Sequence, residues 1–219
     1  MRRLGHSYAE ILKVVQVSKS TLSLWLREIE LTSSQQKKLL LGRARSRYMG
    51  AKAQQRKRVE NTKIIIESAK KEFQILMKNP LFLSGLSLYW AEGDKNSLER
   101  VKFTNADSAM IQLMMHWFRE ICKVPEKKFR IALHVHDLHI RPHVKRYWSK
   151  LTRISESRFH KIYVKPSSLR QRRNILYNGT CGIVVNDRRL FRRIVGWRLG
   201  LLDHFGISPR SSTDRTKGF

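Results

Sequence analysis

Leu81-Phe82-Leu83-Ser84-Gly85-Leu86-Ser87-Leu88-Tyr89-Trp90-Ala91-Glu92-Gly93-Asp94-Lys95 is the stretch on which the reading of this chain turns. It has the composition of a short apolar helix that stops at an acidic, glycine-containing turn. Asn79 suits the N-cap, and Pro80 suits the first helical position, where its missing N–H costs nothing. Gly93 suits the left-handed residue that follows a helix end. Two features run against local rules. Ser84, Ser87 and Ala91 line one face with small side chains that bury little surface, and Glu92 adds a negative charge at the helix end whose dipole is already negative. Such departures concentrate where function demands them. Small residues let a second helix approach closely, and a carboxylate at the end of each helix of such a pair could hold a metal ion.

The segment Gly85 to Gly93, GLSLYWAEG, resembles the LAGLIDADG motif of homing endonucleases. It aligns without a gap, and Ala91-Glu92-Gly93 matches the motif's Ala-Asp-Gly ending. Ser87 stands where the family usually has its first glycine, and Trp90 where it often has an acid. The resemblance implies that motif helices of two subunits pack together, here through Ser84, Gly85, Ser87, Leu88 and Ala91. It also implies that Glu92 binds the divalent metal of DNA cleavage, Mg²⁺ or Mn²⁺, with Asp94 as a second candidate ligand. Mg²⁺ prefers oxygen ligands, typically one or two carboxylates with water and phosphate. Lys165 and Lys95 are the candidates for stabilising charge near the scissile phosphate. One motif and no internal repeat imply a homodimer that supplies two acids.

The charge points the same way. Among 219 residues, 45 Lys and Arg stand against 17 Asp and Glu, a formal net charge of +28. A soluble chain of that charge has a polyanionic partner, most often nucleic acid. No apolar run approaches the roughly 20 residues that span a bilayer, so no membrane association is expected. Cys122 and Cys181 form no CxxC pair, which argues against a zinc site or disulfide scaffold and for a reduced, cytoplasmic setting, at the nucleoid in a bacterium.

Residues 1–31 are expected to form a DNA-binding helix-turn-helix. Ser7 and Glu10 form a capping box, and Ser18 caps a second helix with Leu22, Trp25, Leu26 and Ile29 on its buried face. The run from Val17 to Leu26 resembles the turn and recognition helix of resolvase-like and transposase-like domains. That resemblance implies base or phosphate contacts by Lys19, Ser20, Thr21, Ser23 and Arg27. Such domains begin with an additional helix, whereas only Met1 to Gly5 precede here, leaving a minimal module or a start that lies upstream. Residues 32–79 read as a basic, mostly helical connector with 13 Lys or Arg and 3 Glu. Val59, Ile66, Ala69, Phe73 and Leu76 recur at helical spacing, so its second half should pack on something, while its first half should be a solvated arm tracking phosphates.

From residue 80 to 205, helical and strand patterns alternate. Helices are expected at about 80–92, 105–123 (Met110, Leu113, Met114, Trp117 and Ile121 inward), 142–151 and from Asp187. Strands are expected at 101–104, 129–135, 159–165 and 180–185. The order resembles a single LAGLIDADG domain, which implies an α+β, αββαββα fold with a curved antiparallel sheet on DNA. Residues 206–219 read as a flexible tail. Lys102, Arg130, His134, His136, Lys161, Arg170, Arg172 and Arg173 are the sheet-region candidates for DNA contact. His134, His136, Asp137, His139 and His143 also offer a rival second metal centre.

Three functions fit these features. The first is a site-specific, metal-dependent endonuclease of double-stranded DNA acting as a homodimer. The second is a DNA-binding transcriptional regulator with a degenerate, non-cleaving LAGLIDADG-like domain. The third is an RNA-binding intron-maturation factor.

Overall fold

Local caps start most of the helices, and they do so where short polar side chains precede apolar periodicity. The structure, a computed structural model, describes residues 1–94, 100–136, 143–165 and 178–208. The chain divides into two compact units whose boundary falls between Glu60 and Asn61, inside one long helix rather than at its end.

In the first unit, Ser7 and Glu10 close the expected capping box on α1 (Tyr8–Ile11). Ser18 caps α2 (Lys19–Trp25) by accepting from Thr21 N–H. Ile11 and Leu22 are the buried contacts of this pair. The expected face of α2 is corrected. The helix ends at Trp25, which is 60% exposed, and Leu26 and Ile29 lie beyond it and are only half-buried. Among the described residues no α-helix precedes α1. Arg2–Leu4 is a 3-10 turn closed by Gly5 at φ 82°, and Arg2 lies over the Tyr8 ring. Support comes from the following helix instead. Gln35, in the first turn of α3 (Ser33–Leu76), donates from Nε2 to the Arg3 carbonyl at 3.1 Å. Thr32 and Gln35 form a second capping box, each side chain bonding the other's backbone N–H.

The second unit begins within α3. Ala69 and Phe73 are buried as expected, whereas Val59 remains exposed. Beyond its first turn, the connector buries only Ala69 and Phe73, in its last turns, against α7 (Arg188–His204). The fit is tight. A Cβ at Gly196 would lie 2.6 Å from Ala69 Cβ, and one at Gly200 would lie 2.9 Å from Phe73 Cβ. Arg193 of α7 donates two hydrogen bonds to Glu72, and Trp197 Nε1 donates a third at 3.0 Å.

Helix α4 (Pro80–Glu92) has the expected bounds, with Asn79 accepting from Phe82 N–H and Pro80 at its start. It leads to β1 (Val101–Asn105), then α5 (Ser108–His116), which Asp107 caps. A π-turn, Trp117–Ile121, extends α5, with Cys122 N–H donating to the Trp117 carbonyl. Trp117 and Phe118 are both in the core, and the buried face of α5 is Ile111, Met114 and Met115, at helical spacing with Phe118, leaving Leu113 exposed. The chain continues through β2 (Phe129–His136), α6 (Val144–Thr152), β3 (Tyr163–Lys165), β4 (Thr180–Val185) and α7.

The fold class is α+β, but two details of the expectation are corrected. The sheet is mixed, not antiparallel. Its order is β1-β4-β2-β3, with β1–β4 and β4–β2 antiparallel and β2–β3 parallel. The cause is α6, which stands between β2 and β3 where the αββαββα order has a hairpin. A helical crossover returns the chain to the same end of the sheet, so the next strand runs parallel. The αββαββα order is followed only at its start, where Gly93 bridges antiparallel to Phe103 before α5 begins. All four helices from α4 onward contribute to one core with Val101, Phe103, Phe129, Ile131, Leu133, Cys181, Ile183 and Val185. Cys122 and Cys181 are free and buried, and burial pushes both thiols up.

Candidate nucleic-acid interface

Because strand side chains alternate, the residues between those core positions share the opposite sheet face. The register brings Lys102 beside Val184, Arg130 on the other side of Val184, and His134 between Thr180 and Tyr163. His136 and Lys165 are paired across β2 and β3 at positions of the same parity. On this face Ala132 and Val184 are buried, Lys102, Thr104, Arg130, His134 and Thr180 are half-buried, and Tyr163 is exposed. Thus the strand positions of Lys102, Arg130, His134, His136 and Lys165, drawn from three separate segments, share one surface. The aliphatic stem of Lys102 passes 3.2 Å from where a Cβ on Gly182 would be, so it covers the sheet as its ammonium reaches out. Arg130 is partly committed, since its Nη1 donates to the carbonyls of Lys127 and Phe129 at 2.8 Å. His134 stacks on Tyr163 with ring centroids 5.0 Å apart and an interplanar angle of 17°.

Tyr163, Thr104 and Thr180 join this face and are not among the sequence candidates. Period-two counting along single strands contains the signal, but only the pairing of β1 and β3 with their neighbours tells which parity faces outward. Lys161 is exposed just before β3. Lys95, Asp137, His139, Arg170, Arg172 and Arg173 lie outside the described residues, as do the side chains of His136 and Lys165. His143 begins α6 and makes no side-chain cap. Among the described residues no three His, Cys, Asp or Glu side chains gather as a metal cluster.

The end of α4 meets the edge of the sheet. Gly93 N–H closes onto the Tyr89 carbonyl at 2.8 Å, and Asp94 N–H donates to the Lys102 carbonyl at 2.9 Å. The expected left-handed Gly93 is corrected, because its backbone is extended at φ −71°, ψ 154°. Glycine is needed here for a different reason. A Cβ would sit 2.4 Å from the Tyr89 carbonyl oxygen and 2.9 Å from its ring. Tyr89 thus braces the turn from below, and its burial pushes the phenol well above its ordinary value. Glu92 is exposed at the junction of helix and sheet edge, while Asp94 is half-buried.

The five residues assigned to helix pairing divide between two faces of α4. Ser84, Ser87 and Ala91 line one helical stripe with Leu88; Ser87 and Ala91 are exposed there. Gly85 is corrected. It is buried with Phe82, Leu86 and Tyr89, and a Cβ on it would come 2.1 Å from Trp117. It seats an indole of its own chain rather than a second helix.

In the first unit, Lys19, Ser20, Ser23 and Arg27 are exposed along α2 and just after it, and Thr21 is half-buried. The hydroxyls of Ser20 and Thr21 lie 2.7 and 2.8 Å from the Ser18 hydroxyl, so both are engaged in the cap. Lys19, Ser23 and Arg27 are left as the outward-reaching groups.

No protein-family model, no curated protein and no solved structure matches the chain. No described helix is long and apolar enough to cross a membrane.

Proposed function

We propose that the chain is a site-specific, divalent-metal-dependent endonuclease of double-stranded DNA that acts as a homodimer in the cytoplasm. The observation that supports it most is the union, on one sheet, of a cationic face with an exposed carboxylate at its edge. Lys102, Arg130, His134 and the strand positions of His136 and Lys165 supply the face, and Glu92 supplies the acid. The resemblance of Gly85–Gly93 to the LAGLIDADG motif supports the same reading.

The residues fit the metal that this activity requires. Mg²⁺ and Mn²⁺ sites in phosphoryl transfer use one or two carboxylates and complete their shell with phosphate and water. One exposed Glu92 per chain suits a site shared across a twofold axis, and it needs no three-ligand cluster within a single chain. When bound, the metal supplies an activated water and neutralises the leaving oxygen. The chain does the rest. Cations on the sheet face hold the duplex by its phosphates, and α2 offers Lys19, Ser23 and Arg27 to a groove. The brace of Tyr89 beneath Gly93 orients Glu92. The stripe of Ser84, Ser87 and Ala91 lets a second α4 approach, which brings two Glu92 side chains together.

The test is cleavage of a randomised-site DNA library with Mg²⁺ by the wild type and by Glu92→Gln. Defined cuts that vanish in the variant, with binding retained, support the nuclease. If neither protein cuts but both enrich one DNA sequence, the chain is a regulator. Enrichment of RNA over duplex DNA would replace both readings with the RNA-binding one.

A further inference from the structure

The middle of α3 is exposed to solvent all round. Every residue from 40 to 61 is exposed. From Lys37 to Glu60 there are nine Lys or Arg and one Glu. Gly42 and Gly50 lie inside it with no atom within 4 Å of where a Cβ would stand. Each weakens a helix by about 1 kcal/mol relative to alanine. Arg43 with Arg47, and Lys52 with Arg56, place like charges at i,i+4, which weakens it further. A bare helix with these handicaps gains stability when an outside anion neutralises it.

The cations are not spread evenly around the helix. At 3.6 residues per turn, Lys38, Arg45, Lys52 and Arg56 fall within an arc of about 40° over a length of about 27 Å. Arg43, Arg47, Lys57 and Arg58 fall on the opposite side. All of these side chains are exposed. No carboxylate among the described residues is within ion-pair distance of Lys38, Arg45, Lys52 or Arg56.

We propose that Lys38, Arg45, Lys52 and Arg56 form a rail that binds the phosphate backbone of duplex DNA, adding sequence-independent affinity to the unit that contains α2. This rests on the DNA-binding reading above and adds to it a second contact surface with its own residues. Charge complementarity selects the occupant. A second copy of the helix would set cations against cations. A lipid surface would need an apolar face opposite the charges, whereas Leu40, Leu41, Tyr48 and Met49 are exposed on several sides of the helix. A duplex offers a regular line of phosphates, and long flexible side chains can follow it without a fixed register.

The experiment uses the full chain and a mixed-sequence duplex of about 30 base pairs, with affinity measured between about 50 and 200 mM salt. One variant carries Lys38→Gln, Arg45→Gln, Lys52→Gln and Arg56→Gln. The other carries Arg43→Gln, Arg47→Gln, Lys57→Gln and Arg58→Gln, so both lose the same charge. The rail variant should lower the slope of log affinity against log salt by about 3.6, and weaken binding on the order of 10³-fold at about 0.1 M salt. The opposite-face variant should change the slope by less than about 1. Circular dichroism of the free proteins checks that the helix survives, as glutamine's helix propensity matches that of lysine and arginine. If the fourfold variant loses helix, the pair Lys52→Gln and Arg56→Gln should still lower the slope by about 1.8. Equal losses in the two fourfold variants, or no loss in the rail variant, overturn the rail while leaving DNA binding intact. Failure of the wild type to bind duplex overturns both readings. Equal or tighter wild-type binding to anionic vesicles or to RNA of the same length assigns the rail to that partner instead.

Discussion

Gly85→Ala separates a residue that shapes the fold from one proposed to pair two chains. The added methyl would lie 2.1 Å from Trp117 Cδ1 and 2.2 Å from Cγ. Carbon atoms rest at about 3.5–4.0 Å, so the indole must retreat by roughly 1.5 Å. It has nowhere to go. Trp117 is fully buried, stacked on Tyr89 at 6.1 Å and held edge-on by Phe118 at 5.0 Å and Trp197 at 6.0 Å. Overpacking of this kind costs about 1–3 kcal/mol, and the depth of the clash places Gly85→Ala at the upper end. The gain of about 1 kcal/mol in helix propensity offsets part of it, for a net loss of about 2 kcal/mol. At about 2–4 °C per kcal/mol for a domain of this size, Tm should fall by about 4–8 °C. Near-ultraviolet circular dichroism, which follows the buried indoles, is the assay. A Trp117→Phe partner substitution should recover part of the loss, because the two sites are in contact. Ser87→Leu, on the exposed stripe, should do the opposite: little change in Tm, but loss of the proposed dimer in sedimentation. If Gly85→Ala leaves Tm unchanged and instead disrupts pairing, the assignment of the two faces of α4 is wrong.

The Arg193 and Trp197 hydrogen bonds to Glu72 lead to a pH dependence. The Arg193 guanidinium beside Glu72, aided by Trp197 and opposed by partial burial, holds the carboxyl below its usual range. A lowered folded pKa means that this contribution is fully present above the unfolded value near 4.5 and is lost as pH falls through the folded value. Glu72→Gln should therefore lower stability by about 1–2 kcal/mol at neutral pH and flatten the acid limb of a stability profile followed by urea unfolding. Gly42→Ala with Gly50→Ala should raise the helical signal and add up to about 1 kcal/mol of local helix stability per site, read by amide hydrogen exchange along the middle of α3. Protection of amides in the sheet should not change.

The extent of the helices is largely legible in the sequence. Asn79, Asp107 and Asp187 each cap a helix where the sequence places one, because capping depends on a side chain and a backbone N–H two or three residues away. The strands of 101–105, 129–136 and 180–185 are visible for a similar local reason. The reading fails where a distant group decides. Trp25 reads as apolar and inward, yet α2 stops beneath it. Leu113 fits the expected stripe, but the core takes the neighbouring one through Ile111, Met114, Met115 and Phe118. Gly85 reads as a small residue for a second helix, whereas Trp117, 32 positions on, takes that space. The run Phe159–Lys165 pairs continuously only from Tyr163, with an isolated bridge at Phe159.

The candidate site divides along the same line. The sequence alone determines that the chain is strongly cationic, that α4 ends in Glu92-Gly93, and that Lys102, Arg130 and His134 stand in strands. Only the tertiary structure decides that these three share one face, that β3 joins it in parallel with Tyr163 and Lys165, and that Glu92 lies at its edge. Composition and local hydrogen bonding are properties of neighbouring residues and can be read from the chain. Strand order, register and the close approach of Trp117 to Gly85 arise from the burial of apolar surface shared by segments far apart in sequence, and no local pattern specifies which segments will share it.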